Sequence, residues 1–182
     1  MEEQKLRELQ IESEEIFSGV ILDVKRDSVR LPNGHQTVRE LIRHVGAVCV
    51  VPVTDDGRVV VERQYRYPID QVITEIPAGK LDSKEEDRLH AAQRELREET
   101  GYVSEDWDLL LRVPSQATMG DNWAYVYRAR SCRPAGGQHL DETEFLNVLA
   151  LSPEALEARI RSGEFEQAVH VMAWALDRIS NK

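Results

Sequence analysis

Residues 79–102 read GKLDSKEEDRLHAAQRELREETGY, a run rich in good helix formers and free of proline, with Gly101 near its end. Ser83, followed three residues later by Glu86, predicts a capping box at the start, and Gly101 supplies the left-handed residue that closes a helix. Leu89, Ala92 and Leu96 form a narrow apolar stripe, so one side of the helix can be buried. Glu95, Glu98 and Glu99 stand at i, i+3 and i+4 and share a face. Like charges so spaced repel by roughly 0.2–0.5 kcal/mol per pair in an isolated helix, so this face wants a cation. Carboxylate oxygens suit a hard divalent ion, Mg²⁺ or Mn²⁺. Arg94, one turn before Glu98, is placed to orient it. A solvated, salt-bridged surface helix is the plainer reading of the same charges, and the flanking residues weigh against it.

Glu75-Ile76-Pro77-Ala78-Gly79, followed by Arg94-Glu95-Leu96-Arg97-Glu98-Glu99-Thr100-Gly101-Tyr102, resembles the signature of the Nudix hydrolases. That pattern runs from a glycine through five residues to a glutamate, then through seven more to R-E-U-x-E-E-x-G-U, where U is bulky and apolar. This chain carries one residue too many: Gly79 to Glu85 keeps the spacing, whereas counting back from Arg94 selects Glu86. The likeness extends from about Val45 to the C-terminus. It implies an α/β/α sandwich with a mixed sheet, and a cation held by Glu95, Glu98, Glu99 and the carbonyl of Ala78. Among members acting on ADP-ribose, the similar residues of substrate binding are Arg66 and Arg63 in Glu62-Arg63-Gln64-Tyr65-Arg66, with Glu75 and Gly79. Glycine at 79 also permits close approach of backbone to a ligand.

The composition agrees with an enzyme acting on small molecules. The chain has 182 residues, 41% of them apolar, enough for one main core and a small appended unit. Thirty-three acids against 23 Lys and Arg give a formal charge of −10, which argues against nonspecific binding to nucleic acid or to an anionic membrane. A phosphate-bearing substrate is repelled by the same balance and needs metal ions and placed arginines. No apolar run reaches membrane-spanning length and MEEQKLRELQ has no signal-peptide character, so the expected location is cytoplasmic. Cys49 and Cys132 are too few for a disulfide framework and read as small buried hydrophobes.

Residues 1–44 read as a unit of their own, a short charged helix and then a small antiparallel sheet around the turn Pro32-Asn33-Gly34. Such a sheet is too thin to stand alone; by the same resemblance it packs across a homodimer. The resemblance makes residues 45–182 the expected hydrolase domain. They open with the apolar runs 46–53 and 59–61 around Thr54-Asp55-Asp56-Gly57, a hairpin buried on both faces. Strands at 107–113 and 123–129 flank 114–122, a candidate substrate loop. Its Pro114 and Asp121-Asn122 depart from the Ser-Pro-Gly-like element and acidic pair usual in the ADP-ribose branch. Ser152-Pro153 starts one closing helix, and 165–179 form another in which His170 is structural.

A carboxylate bound to a divalent cation is held ionised and accepts protons poorly, so the general base is expected outside the helix triplet. The acidic loop Asp141-Glu142-Thr143-Glu144 offers it, with Glu144 favoured over Glu142 by its place directly before Phe145-Leu146. The resemblance implies Mg²⁺-dependent hydrolysis of ADP-ribose to AMP and ribose 5-phosphate. The alternatives are another nucleotide sugar such as GDP-mannose, or a catalytically silent nucleotide-sensing module.

Overall fold

The computed structural model describes residues 5–180. Backbone contacts divide it into two compact units, one formed by the residues up to Val45 with Pro114–Asn122, the other by Gly46–Val113 with the residues from Trp123 onward.

The first unit is a three-stranded antiparallel sheet of β1 (Leu9–Ser18), β2 (Asp23–Arg30) and β3 (Gln36–Arg43), in that order. The short charged helix expected at the N-terminus is, from Leu9 on, this first strand; residues 1–4 of that expectation lie outside the described residues. Its acids find cations across the register, Glu15 bonding Lys25 at 2.7 Å, and opposite charges across a strand pair outweigh a weak local helix preference. Gly34, at φ 86°, completes the anticipated turn between β2 and β3. Residues 114–122 are laced to the end of β3: Asp121 N–H donates to Ile42 O, and His44 N–H donates to the Asp121 carboxylate at 2.7 Å.

Among the described residues the second unit holds an eight-stranded mixed sheet and three α-helices. Its centre is β4 (Ala47–Thr54), which pairs parallel with β10 (Trp123–Pro134) and antiparallel with β5 (Val59–Arg66) and β7 (Ala78–Lys80). The hairpin runs as predicted through Thr54–Gly57, but β4 and β5 register only at Val53 and Val59 before they diverge. β5 then pairs with β6 (Gln71–Glu75) and β11 (Leu146–Leu151), while β8 (Tyr102–Val103) and β9 (Asp106–Pro114) join β10.

Cys49, Val51, Val59, Val61 and Val126 of this sheet pack with Leu156 of α2 (Pro153–Ser162), with Phe165, and with Ala173 and Trp174 of α3 (Ala168–Ser180). Side chains alternate along a strand, so Val60, Glu62, Gln64 and Arg66 turn to the other face of β5. α1 (Arg88–Thr100) packs on β4 and β7 through Ala91, Ala92 and Leu96. The mixed α/β architecture with an added small sheet is the one expected. Ser152 caps α2 as expected, its hydroxyl accepting from Ala155 N–H.

The start of α1 differs from the prediction. Its N-cap is Asp87, whose carboxylate accepts from His90 N–H at 2.8 Å, and Ser83 lies in the preceding turn, where its hydroxyl accepts from Glu85 N–H. Asp caps as well as Ser, and the extra residue before Arg94 is absorbed in the turn at 82–86. There Asp82 N–H donates to the Glu86 carboxylate at 2.6 Å. The stop is as predicted, with Gly101 at φ 74° and its N–H on Arg97 O.

Candidate active site

α1 and β7 build the site between them. Gly79 registers against Val48 of β4, and a Cβ on it would fall 2.0 Å from the Glu95 carboxyl carbon. Only glycine leaves that carboxylate room against the strand. Glu99, one turn further along the buried side of the helix, accepts the N–H of Ala78 at 3.0 Å. Glu95 and Glu99 are buried, while Glu98 is half-exposed.

Arg94 ties the acids together. Its guanidinium reaches Glu95 at 2.8 Å, Glu98 at 3.2 Å and Glu86 at 3.4 Å. Of the two acids that the spacing allows, Glu86 is the one that meets Arg94, and Glu85 is exposed in the turn.

Glu62 was not singled out from the sequence, and it joins this group from β5. It is 1% exposed, and among the described residues neither of its carboxylate oxygens has a hydrogen-bond partner. Burial raises its pKa, and the charges of Glu75, Glu144 and Glu95 add to the shift. Glu99 is raised by burial and then by the charges of Glu62 and Glu95. Burial pushes Glu95 up to about 7 against the opposing pull of Arg94. The only hint in the sequence is an acid placed directly after Val59-Val60-Val61 on a strand that reads as buried.

The other expected residues fall in three places. Arg66 bonds Glu75 at 2.7 Å, and Glu75, wholly buried, also accepts from Gln167 at 2.6 Å. Glu75 therefore grips Arg66 instead of facing solvent. Arg63 is exposed on the opposite face of β5 from Glu62 and Arg66. Glu144, half-buried, is close enough for its charge to raise Glu62, Glu95 and Glu99, whereas Glu142 is exposed at the turn. Asp141 N–H donates to the Glu144 carboxylate at 3.1 Å. His170 is 2% exposed and its pKa is pushed down to about 3 by burial, so it is neutral.

Among the described residues, no three carboxylate, imidazole or thiol groups already converge as a ligand set; Arg94 holds Glu95 and Glu98 as their counterion. The donors nevertheless fit a hard divalent cation. They are oxygens, their charges repel one another, and Glu62 brings two buried acceptors that no protein donor satisfies.

The chain belongs to the Nudix family, whose NUDIX domain model matches residues 43–173, and it is an enzyme of the Nudix hydrolase class. It is 37% identical to an ADP-ribose pyrophosphatase of Bacillus subtilis over 164 residues, 90% of this chain and 88% of that one. It is 40% identical to a methanol dehydrogenase activator of Bacillus methanolicus over 149 residues, 81% of this chain and 80% of the other. In fold it resembles the crystal structure of an ADP compounds hydrolase, with a TM-score of 0.84 over 95% of this chain and 94% of that one at 23% identity. No helix among the described residues is long and apolar enough to cross a membrane.

Proposed function

We propose that this enzyme hydrolyses ADP-ribose to AMP and ribose 5-phosphate and depends on Mg²⁺, for which Mn²⁺ can substitute. The observation that carries this reading is the acid cluster around Gly79, with Glu95 and Glu99 buried against β7 and Arg66 anchored nearby by Glu75. The Bacillus subtilis ADP-ribose pyrophosphatase, alike over most of both chains, supports the choice of substrate.

Glu95, Glu98, Glu99 and the Ala78 carbonyl would hold the cation. When bound, such an ion neutralises diphosphate oxygens and favours ionisation of a water at neutral pH. Arg94 orients Glu95 and Glu98 through its ion pairs. Arg66, fixed by Glu75, receives the anionic substrate. Glu144 takes the proton from the attacking water. The water oxygen bonds to phosphorus, and the bridging P–O bond breaks with its electron pair on the departing phosphate. Leu9, Ile11, Ile16 and Phe17 of β1 are exposed apolar side chains; they support a homodimer formed through the small sheet. A cytoplasmic location belongs to the same reading.

The deciding experiment is a panel of nucleoside diphosphate derivatives with Mg²⁺, with the products identified. ADP-ribose is expected to be the best substrate and to give AMP and ribose 5-phosphate in equal amounts. A clear preference for GDP-mannose, or no turnover of any diphosphate, would contradict the assignment.

A further inference from the structure

Ionisable side chains are seldom buried without partners, because an unpaired carboxylate away from water costs several kcal/mol, of the order seen when one member of a buried pair is removed. Glu62 is such a group. It sits at 1% exposure in a strand whose three preceding residues are fully buried valines, and among the described residues neither of its oxygens has a hydrogen-bond donor. The cationic group within its electrostatic reach is Arg66, and that guanidinium is already bonded to Glu75 at 2.7 Å. The other charges acting on it are acids, Glu75, Glu144 and Glu95, and it acts in turn on Glu99.

A valine here would extend the apolar run and remove the conflict, so an acid at this position needs a compensating charge. The β5 alternation that sends Val59 and Val61 into the core with Phe165 and Trp174 turns Glu62 the other way, into the field of Glu95 and Glu99. α1 and the loop at 141–145 bring the remaining acids from two other directions.

We propose that Glu62 is a further ligand of the divalent cation, a carboxylate supplied by β5 beside those of α1. The inference rests on the metal reading given under Proposed function. It assigns the cation a third structural element, so that the ion pins β5 to α1. A consequence is that the metal-free protein carries an uncompensated buried acid which the cation relieves, making metal binding strongly stabilising.

The test measures Mn²⁺ binding directly, by electron paramagnetic resonance of free Mn²⁺ and by the Mn²⁺-induced rise in Tm, for the parent, Glu62→Gln, Glu62→Val and Glu99→Gln. Loss of an outer-shell partner alone costs on the order of 10- to 100-fold in metal affinity, so removal of a ligand is expected to weaken Mn²⁺ at least about tenfold. Both Glu62 variants should bind at least tenfold more weakly and show a smaller Mn²⁺-induced rise. Metal-free Glu62→Val should melt no lower than the metal-free parent, since valine removes the unpartnered buried carboxyl group. Mn²⁺ affinities within twofold of the parent for both Glu62 variants, with Glu99→Gln weakened, would overturn this inference alone. A parent that binds no Mn²⁺, or a Glu99→Gln variant that binds as the parent does, would overturn the metal reading and this inference with it.

Discussion

Glu62 and Glu75 face one another across the β5–β6 register, both almost fully buried, in opposite circumstances. Glu75 is satisfied twice, by the Arg66 guanidinium and by the Gln167 amide. Among the described residues Glu62 has no hydrogen-bond donor, and the charges acting on it are those of Glu75, Glu144 and Glu95 and of Arg66, which is already bonded to Glu75. A buried carboxylate with its partners in place is a fixed part of the scaffold, here positioning an arginine. On the reading proposed above, one without them marks the region that a cation compensates. The contrast separates the side that holds from the side that reacts, and it orders the expected consequences of substitution.

The largest effect should come from the acid side. Glu99→Gln replaces an anionic oxygen by an amide at the helix face that meets Ala78. Losing about 4 kcal/mol of transition-state charge stabilisation corresponds to about 10³-fold in kcat. The circular dichroism spectrum should be unchanged, and near-normal kcat at saturating Mg²⁺ would place the cation elsewhere. Glu144→Gln comes next, with kcat lowered on the order of 10²–10⁴-fold for loss of a general base. Its Mn²⁺ affinity should stay near the parent's. Turnover within a few-fold of the parent for Glu144→Gln, Glu142→Gln and the double variant would reduce this loop to a turn.

On the satisfied side the effect should be smaller and of another kind. Glu75→Gln removes the anion that grips Arg66, so KM should rise about tenfold, the equivalent of about 1.4 kcal/mol, with Mn²⁺ affinity untouched. A drop in Mn²⁺ affinity in this variant would erase the distinction between the two carboxylates.

At neutral pH the smallest expected effect is on stability, and it emerges only as pH falls. His170 lies 3.9 Å from Glu75 within the reach of Arg66, and its pKa is pushed down to about 3 from the ordinary 6.5. A group depressed in the folded state adds stability above its unfolded pKa, and that stability is lost as pH falls. Tm should therefore decline from about pH 6.5 toward pH 3, and His170→Leu should flatten part of that decline. Glu75, raised by burial, acts in the opposite sense, so the readout is the difference between parent and variant. Parallel Tm profiles would mean that His170 is not buried neutral.

These regions were not equally legible in the sequence. The triplet Glu95, Glu98 and Glu99, the stop at Gly101 and the cap at Ser152 depend on neighbours within one or two turns, and local spacing carries them. The start of α1 was misplaced because Ser83 and Asp87 are both good caps, and the choice fell to the turn at 82–86. β1 reads locally as a helix because the cations that pair its acids lie on β2, a relation between residues about ten apart. Glu62 went unnoticed for a similar reason. Its burial is set jointly by β5, α1 and the loop carrying Glu144, and no window of sequence contains all three. Glu75 enters as a substrate-binding residue by resemblance alone, and its bond to Arg66 follows from the β5–β6 pairing, which no local window of sequence shows.

The central claim is that the acid side works only with a divalent cation. The most direct measurement is AMP release from ADP-ribose by chelator-treated enzyme, before and after Mg²⁺ is restored, with circular dichroism followed in parallel. The account predicts no AMP above background in EDTA, full recovery on adding Mg²⁺, and an unchanged spectrum throughout. Equal AMP release with and without chelator would contradict it.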